Sequence, residues 1–221
     1  MVEDVPAMII EALLWENQKE REKHIREKKI YLTELTGCLR KAYYNIKDPL
    51  EITDTNAIIN MVVGKMYHET IQQALVKYLG AKETEVLAEF ALEKPVNGWV
   101  IRGRPDIYIP SWSMVIELKT VKSLYYIEHP QEHHTQQIAW YMDMLKAKHG
   151  RIVYIQKFSK RDGTSMDMKC FSVLSSAPKA RIINTAAEKL SEHLNNDTVP
   201  SKCPIADWEC KYCQYKDRCE G

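Results

Sequence analysis

Hydrophobic spacing divides the chain into alternating helical and extended stretches. Residues 7 to 29 read as a helix, with Ile9, Leu13 and Trp15 ahead of the charge run ENQKEREKHIREKK, which suits a solvated face. In YLTELTGCLRKAYYNIK, Thr33 or Thr36 is placed to cap a short helix with Cys38 in its first turn. The clearest helix covers 55–79, where Ile58, Met61, Val62, Ile71, Leu75 and Leu79 form an apolar stripe that also carries His68. Gly64 lies one turn earlier on that side, where a missing side chain permits close approach.

Residues 83–91 read as extended and are expected to pair with a strand over 99–109, the Asn97-Gly98 pair marking a hairpin. The segment from Gly103 to Lys119 then gives two short strands joined by a polar turn, completing a meander of three. A second clear helix runs from about Gln131 to Lys148. Its stripe of Ile138, Met142 and Leu145 faces the sheet, and His134, Gln137 and Tyr141 share the neighbouring stripe. Residues 151–158 and 165–173 read as two more strands turning at 160–163, and 177–195 as a polar amphipathic helix. The order of elements predicts an α/β fold, a mixed sheet flanked by helices in one domain over 1–221. Within it, an N-terminal helical part (1–54) supplies Cys38, 55–175 form the core, and 176–221 hold a helix and a cysteine-rich segment.

Chemistry concentrates at two places. Strand alternation puts Glu117 and Lys119 on one face, opposite Ile116 and Leu118, and Asp106 follows Pro105 on the neighbouring strand. Two carboxylates and a lysine are costly core material but well suited to holding a divalent metal that activates water against a phosphodiester. Asp106 and Glu117 offer the oxygen ligands magnesium or manganese prefer, and the Leu118 carbonyl offers another. A neutral His68 would tilt the choice towards manganese. An ordinary edge salt bridge is the bland alternative for this set. Arg40, Lys41, Tyr43 and Tyr44 suit either a nucleic-acid surface or a packed helix edge.

The second place is the tail. Four of the six cysteines lie beyond Ser201, in a segment with little apolar periodicity that needs a staple. Cys210, Cys213 and Cys219 are three closely spaced thiols, and either Cys203 or Cys38 can serve as the fourth of a zinc or iron–sulfur site. Cys170, in mid-strand, is expected to be buried. The 45% hydrophobic share indicates a globular chain, and the net charge of +1 neither favours nor excludes nucleic acid. The start is too acidic and too briefly apolar for a signal peptide. The expected location is therefore the cytoplasm, where cysteines serve metals before disulfides.

In chain order, Gly64 to His68, Gly103 to Asp106, Glu117 to Lys119 and Gln137 to Tyr141 resemble the four-motif series of RecB-like nucleases in the PD-(D/E)XK group, whose core is restriction-endonuclease-like. TGCLRKAYY around Cys38 and ECKYCQYKDRC at the end resemble the CRISPR-associated RecB-like exonucleases, the Cas-four family. The resemblance runs from about Thr33 to Cys219. It implies His68, Asp106, Glu117 and the Leu118 carbonyl as metal ligands, Lys119 as catalytic, and Gln137 and Tyr141 as orienting DNA or the lysine. It implies an iron–sulfur cluster on Cys38, Cys210, Cys213 and Cys219, with 4Fe-4S favoured over 2Fe-2S. It further implies a DNA exonuclease preferring single strands, with 5′-to-3′ polarity, working beside CRISPR integrase proteins in spacer acquisition. A repair or replication exonuclease of a virus or mobile element carries the same motifs. A non-catalytic DNA-binding protein and a zinc-stapled interaction protein are the alternatives from other classes.

Overall fold

The computed structural model describes residues 5–50, 55–157, 167–205 and 207–220. Seven α-helices and eight strands occur among them, in the order α1 (Val5–Arg26), β1 (Lys29–Tyr31), α2 (Leu39–Lys47), α3 (Thr55–Gly80), β2 (Leu87–Ala88), β3 (Leu92–Val96), β4 (Trp99–Gly103), β5 (Ile107–Ile109), β6 (Met114–Val121), α4 (Glu132–Leu145), β7 (His149–Gln156), β8 (Met168–Leu174), α5 (Ala177–Asn196), α6 (Asp207–Lys211) and α7 (Lys216–Glu220). Short 3-10 turns cover Leu32–Thr36 and Pro110–Trp112. The chain separates into two compact units, one of residues 1–63, 94–101 and 186–221 and the other of 64–93 and 102–185.

The second unit is built on a five-stranded sheet of order β2-β5-β6-β7-β8. It is mixed, as expected: β6 runs parallel to β7, with Glu117 opposite Ile152, while β2–β5, β5–β6 and β7–β8 are antiparallel. Parallel neighbours need a crossover, and α4 supplies it. One buried cluster joins Leu79 of α3 to Ile107, Ile109, Leu118 and Ile155 of the sheet, with Ile71 and Leu75 against it. On α4, Ile138 and Met142 are fully buried, as the stripe predicts. The approach to β7 is tight enough that a Cβ on Gly150 would lie 2.7 Å from Met142 Sδ and 3.2 Å from both Ile138 Cδ1 and the Val173 carbonyl. Gly64 likewise faces a close neighbour, the Thr120 hydroxyl.

The first unit contributes the three-stranded sheet β1-β4-β3. Its strands β3 and β4 meet at Asn97 and Gly98, both with positive φ (45° and 79°), the backbone that a two-residue hairpin turn demands. Tyr43, one of the ambiguous basic and aromatic set, is buried and donates its hydroxyl to Asp197 (3.1 Å). Arg40 Nε donates to the Pro200 carbonyl (2.7 Å), and Tyr44 lies 5.4 Å from Tyr215, so for these three the packed-edge reading holds.

Several expectations are corrected. The predicted 99–109 strand is two strands in different sheets, because Pro105 has no N–H for a ladder and breaks the run. The hairpin partner of β4 is therefore Leu92–Val96. The 83–91 stretch supplies only Leu87–Ala88, paired with β5. Asp106 sits in the break, just before β5. Neither threonine caps α2; Cys38 holds that position and Thr36 bonds Thr33 instead. The first helix ends at Arg26, and Lys29 begins β1. Met61, placed on the apolar stripe, is exposed, and so is Cys170, on the outer face of edge strand β8. The turn expected at 160–163 lies outside the described residues. No helix among those described is long and apolar enough to cross a membrane.

Replacing Gly150 by alanine is expected to cost about 1–3 kcal/mol through overpacking between α4 and β8. Urea denaturation of the two proteins measures it.

Candidate active site

Strand β6 carries Glu117 and Lys119 on one face because a strand alternates with period two. Lys119 Nζ lies 2.8 Å from Glu117 Oε1 and 2.9 Å from Gln137 Oε1 on α4. Gln137 Nε2 in turn donates to Glu117 Oε1 (2.8 Å) and to the Tyr141 hydroxyl (3.2 Å), one helical turn further on. The Tyr141 hydroxyl donates to the Arg104 carbonyl (3.1 Å), fixing the backbone two residues before Asp106. Tyr141 is buried, and burial followed by the charge of Glu117 raises its pKa well above the usual phenol range, so it remains a neutral clamp.

Asp106 is buried, and both its oxygens are occupied. Oδ2 accepts the Leu118 N–H (2.7 Å), while Oδ1 lies 3.0 Å from His68 Nδ1 and accepts from Gln72 Nε2 (3.2 Å). With the carboxylate ionised, Nδ1 is the donor and Nε2 is the nitrogen left for another partner. Burial lowers the His68 pKa, but the Asp106 hydrogen bond and charge outweigh it, and the net shift is upward.

Glu117 differs from Asp106. The residue is 3% exposed; Oε1 takes both hydrogen bonds, and Oε2 is buried with no hydrogen-bond partner among the described residues. Burial is the chief reason its pKa rises to about 7, with Asp106 adding repulsion and Lys119 opposing. An unsatisfied buried carboxylate oxygen beside a second carboxylate fits a cation-binding position, since a divalent ion would supply the missing partner. The geometry thus joins Asp106, Glu117, Lys119, Gln137, Tyr141 and His68 into one network. His134 is outside it. Its Nδ1 bonds the Tyr154 hydroxyl (2.8 Å), and burial pushes its pKa down to about 2.

Sequence reasoning missed Gln72. It is buried on α3, one turn beyond His68, and its Nε2 reaches both Asp106 and Glu89 Oε1 (3.1 Å). The signal was available: a glutamine four residues after the histidine on a helix shares its face.

In the first unit, Cys38, Cys210, Cys213 and Cys219 line one cavity together with Lys41, Lys202, Lys216 and Glu209. The Cys38 N–H donates to Glu209 Oε1 (2.9 Å), and Glu209 Oε2 accepts from Ile205 N–H (3.0 Å). Gly37 precedes this bond because a Cβ there would stand 2.8 Å from Glu209 Oε1. Cys203 lies outside the cavity lining but beside Cys38; its thiol pKa is raised, first by local loss of water, with Cys38 adding to it. No group of three or more His, Cys, Asp or Glu side chains among the described residues is arranged to hold a metal ion.

A mixed sheet with a carboxylate pair and a lysine at its centre defines a nuclease-like α/β core. The family model of the PD-(D/E)XK nuclease superfamily matches residues 18–220. The CRISPR-associated exonuclease Cas4 of Saccharolobus solfataricus is 31% identical over 219 residues, 96% of this chain and 98% of that protein. The solved structure of SSO0001 superposes with a TM-score of 0.66 at 26% identity, covering 96% of both chains. The alkaline exonuclease LHK-Exo of Laribacter hongkongensis shares the fold, with a TM-score of 0.53 at 13% identity over 78% of this chain and 90% of its own. The chain belongs to the PD-(D/E)XK nuclease superfamily, as a Cas4-like RecB-family nuclease.

Because Glu117 keeps its proton in the metal-free fold up to about pH 7 but releases it near 4.5 when unfolded, its contribution to stability is present below pH 4.5 and is lost as pH rises through 7. In chelator, thermal midpoints of the wild type are expected to fall across that window more steeply than those of Glu117→Gln. Added manganese should reverse the fall at pH 7.5.

Proposed function

We propose that this protein is a metal-dependent DNA exonuclease, acting on single strands with 5′-to-3′ polarity in CRISPR spacer acquisition beside the integrase proteins. The observation that carries the catalytic reading is the buried, unpartnered Oε2 of Glu117 within a network that already satisfies every oxygen of Asp106. The family and the Cas4 relative support the substrate and the biological setting.

Glu117 and Asp106 would hold magnesium or manganese, with His68 and the Leu118 carbonyl as further ligands. When bound, the ion would polarise the phosphoryl oxygen and acidify a water. The remaining work belongs to the chain. Lys119 has two of its three N–H donors engaged by Glu117 and Gln137, which aims the ammonium group at a phosphate oxygen and offsets its developing charge. Gln137 fixes both Lys119 and Glu117, and Tyr141 fixes Gln137 and the Arg104 carbonyl. Gln72 holds Asp106 from behind, as partners of metal ligands commonly do.

Cys38, Cys210, Cys213 and Cys219 would bind an iron–sulfur cluster, with 4Fe-4S favoured. A zinc ion at ~2.3 Å from each sulfur needs thiols that converge on a point. That these four line one cavity supports the ligand set.

Glu117→Ala and Lys119→Ala are expected to lower metal-dependent digestion of end-labelled single-stranded DNA by on the order of a thousandfold or more, with visible absorbance retained. Cys38→Ala is expected to remove the absorbance. Undiminished cleavage by the first two variants would overturn the assigned site, and an unchanged spectrum in the third would overturn the ligand set.

A further inference from the structure

The loop that follows the Lys119 strand is built in an unusual way. Strand β6 ends at Val121, whose carbonyl accepts the Lys157 N–H from the end of β7 (2.9 Å). Residues 122–131 then lead into α4. Leu124 and Ile127 turn inward and are buried. The Leu124 N–H donates to Gln156 Oε1 (3.1 Å), and Lys169 Nζ donates to the carbonyls of both Leu124 and Ile127 (2.9 Å each). The Gln131 N–H donates to the Tyr154 hydroxyl (2.9 Å) at the far end. A loop pinned at this many points holds its tip in a fixed place.

That tip is Tyr125 and Tyr126. At 81% and 83% exposure they are the most exposed large hydrophobic side chains among the described residues. Their rings pack edge to face at 5.0 Å, 86° apart, which presents two differently oriented aromatic surfaces. Within the loop itself, the residues flanking the inward anchors are polar or charged: Lys122, Ser123, Glu128 and His129. Cations stand nearby. Lys157 is held below the ordinary lysine value first by burial and then by Lys122, so these two ammonium groups lie in each other's field. The loop also leaves β6 only two residues after Lys119. Tyr67, adjacent to His68, donates its hydroxyl to the Lys157 carbonyl (2.6 Å).

We infer that Tyr125 and Tyr126 form a stacking platform for the unpaired bases of a DNA strand entering the site, with Lys122 on its phosphates. This rests on the nuclease reading above. Exposed rings on a pinned loop that also carries Lys122 match the chemistry of sequence-tolerant single-strand binding, in which bases supply π-faces and phosphates supply charge. A protein-docking surface would instead seat its aromatics in an apolar surround. Duplex ends hide their bases in the stack, so the platform also selects against blunt double strands.

The test is fluorescence anisotropy of a labelled oligothymidylate in chelator at fixed salt, with a blunt duplex as comparison. The proteins are the wild type, Tyr125→Ala with Tyr126→Ala, and Tyr125→Phe with Tyr126→Phe. The alanine pair is expected to bind the single strand roughly tenfold or more weakly. The phenylalanine pair should stay within about twofold of wild type, and duplex binding should change by less than about twofold. Light-induced coupling of a 5-iodouracil oligonucleotide should map to the peptide holding these tyrosines. Because both rings are exposed, thermal midpoints should not move. Single-strand affinity unchanged in the alanine pair overturns the platform, as does an equal loss for single strand and duplex, or coupling that maps elsewhere. Loss of self-association with DNA affinity intact overturns it in favour of a protein contact. Wild-type cleavage with manganese, run in parallel, separates the two readings: a wild type that cleaves while the alanine pair binds normally leaves the nuclease standing and removes only the platform.

Discussion

A carboxylate buried in the middle of a sheet needs a partner for each oxygen, and the second unit is arranged around meeting half of that need for Glu117. Lys119 and Gln137 both reach Oε1, which requires β6 to alternate correctly and α4 to cross directly over it. The crossing is close at Gly150, where a Cβ would press on Met142 and Ile138. Tyr141 extends the same chain of bonds to the Arg104 carbonyl and so sets the position of Asp106. Oε2 is left without a partner in a place where water is excluded. A carboxylate oxygen left open in this interior is what the proposed cation would satisfy.

Much of this was legible from residue spacing. The period-two placement of Glu117 and Lys119, the four-residue spacing of Gln137 and Tyr141 and, except at Met61, the stripe on α3 each predicted a face that the structure displays. The failures share a physical cause: spacing describes one element at a time. The 99–109 run looks continuous in hydropathy, yet Pro105 divides it between two sheets, and the hairpin takes the segment before it as partner. Cys170 was expected inside because cysteine usually is; strand alternation puts it on the outer face of an edge strand. Gln72 went unnoticed because a polar residue on a half-polar helix carries no mark until Asp106 is placed beside it. His134 shows the converse, since a shared stripe with Gln137 did not bring it into the network.

The first unit shows how a segment with little apolar content is held. Glu209 is buried and ties the Cys38 N–H to the Ile205 N–H. Tyr215, fully buried, donates to Asn45 Oδ1 (2.8 Å) and accepts the Leu50 N–H (3.3 Å), and Arg218 bonds Asp48. These bonds place the N-terminal thiol and the three tail thiols on one cavity without any cross-link between them. If the proposed cluster binds there, it would add to a staple that these hydrogen bonds already make.

The central claim is that Glu117 and Asp106 form a cation site. Anomalous X-ray scattering from a manganese-soaked crystal tests it most directly. The account predicts a peak within ligating distance of Glu117 Oε2 and an Asp106 oxygen, absent from Glu117→Ala crystals. A soaked crystal with manganese bound elsewhere and none beside Glu117 would contradict it.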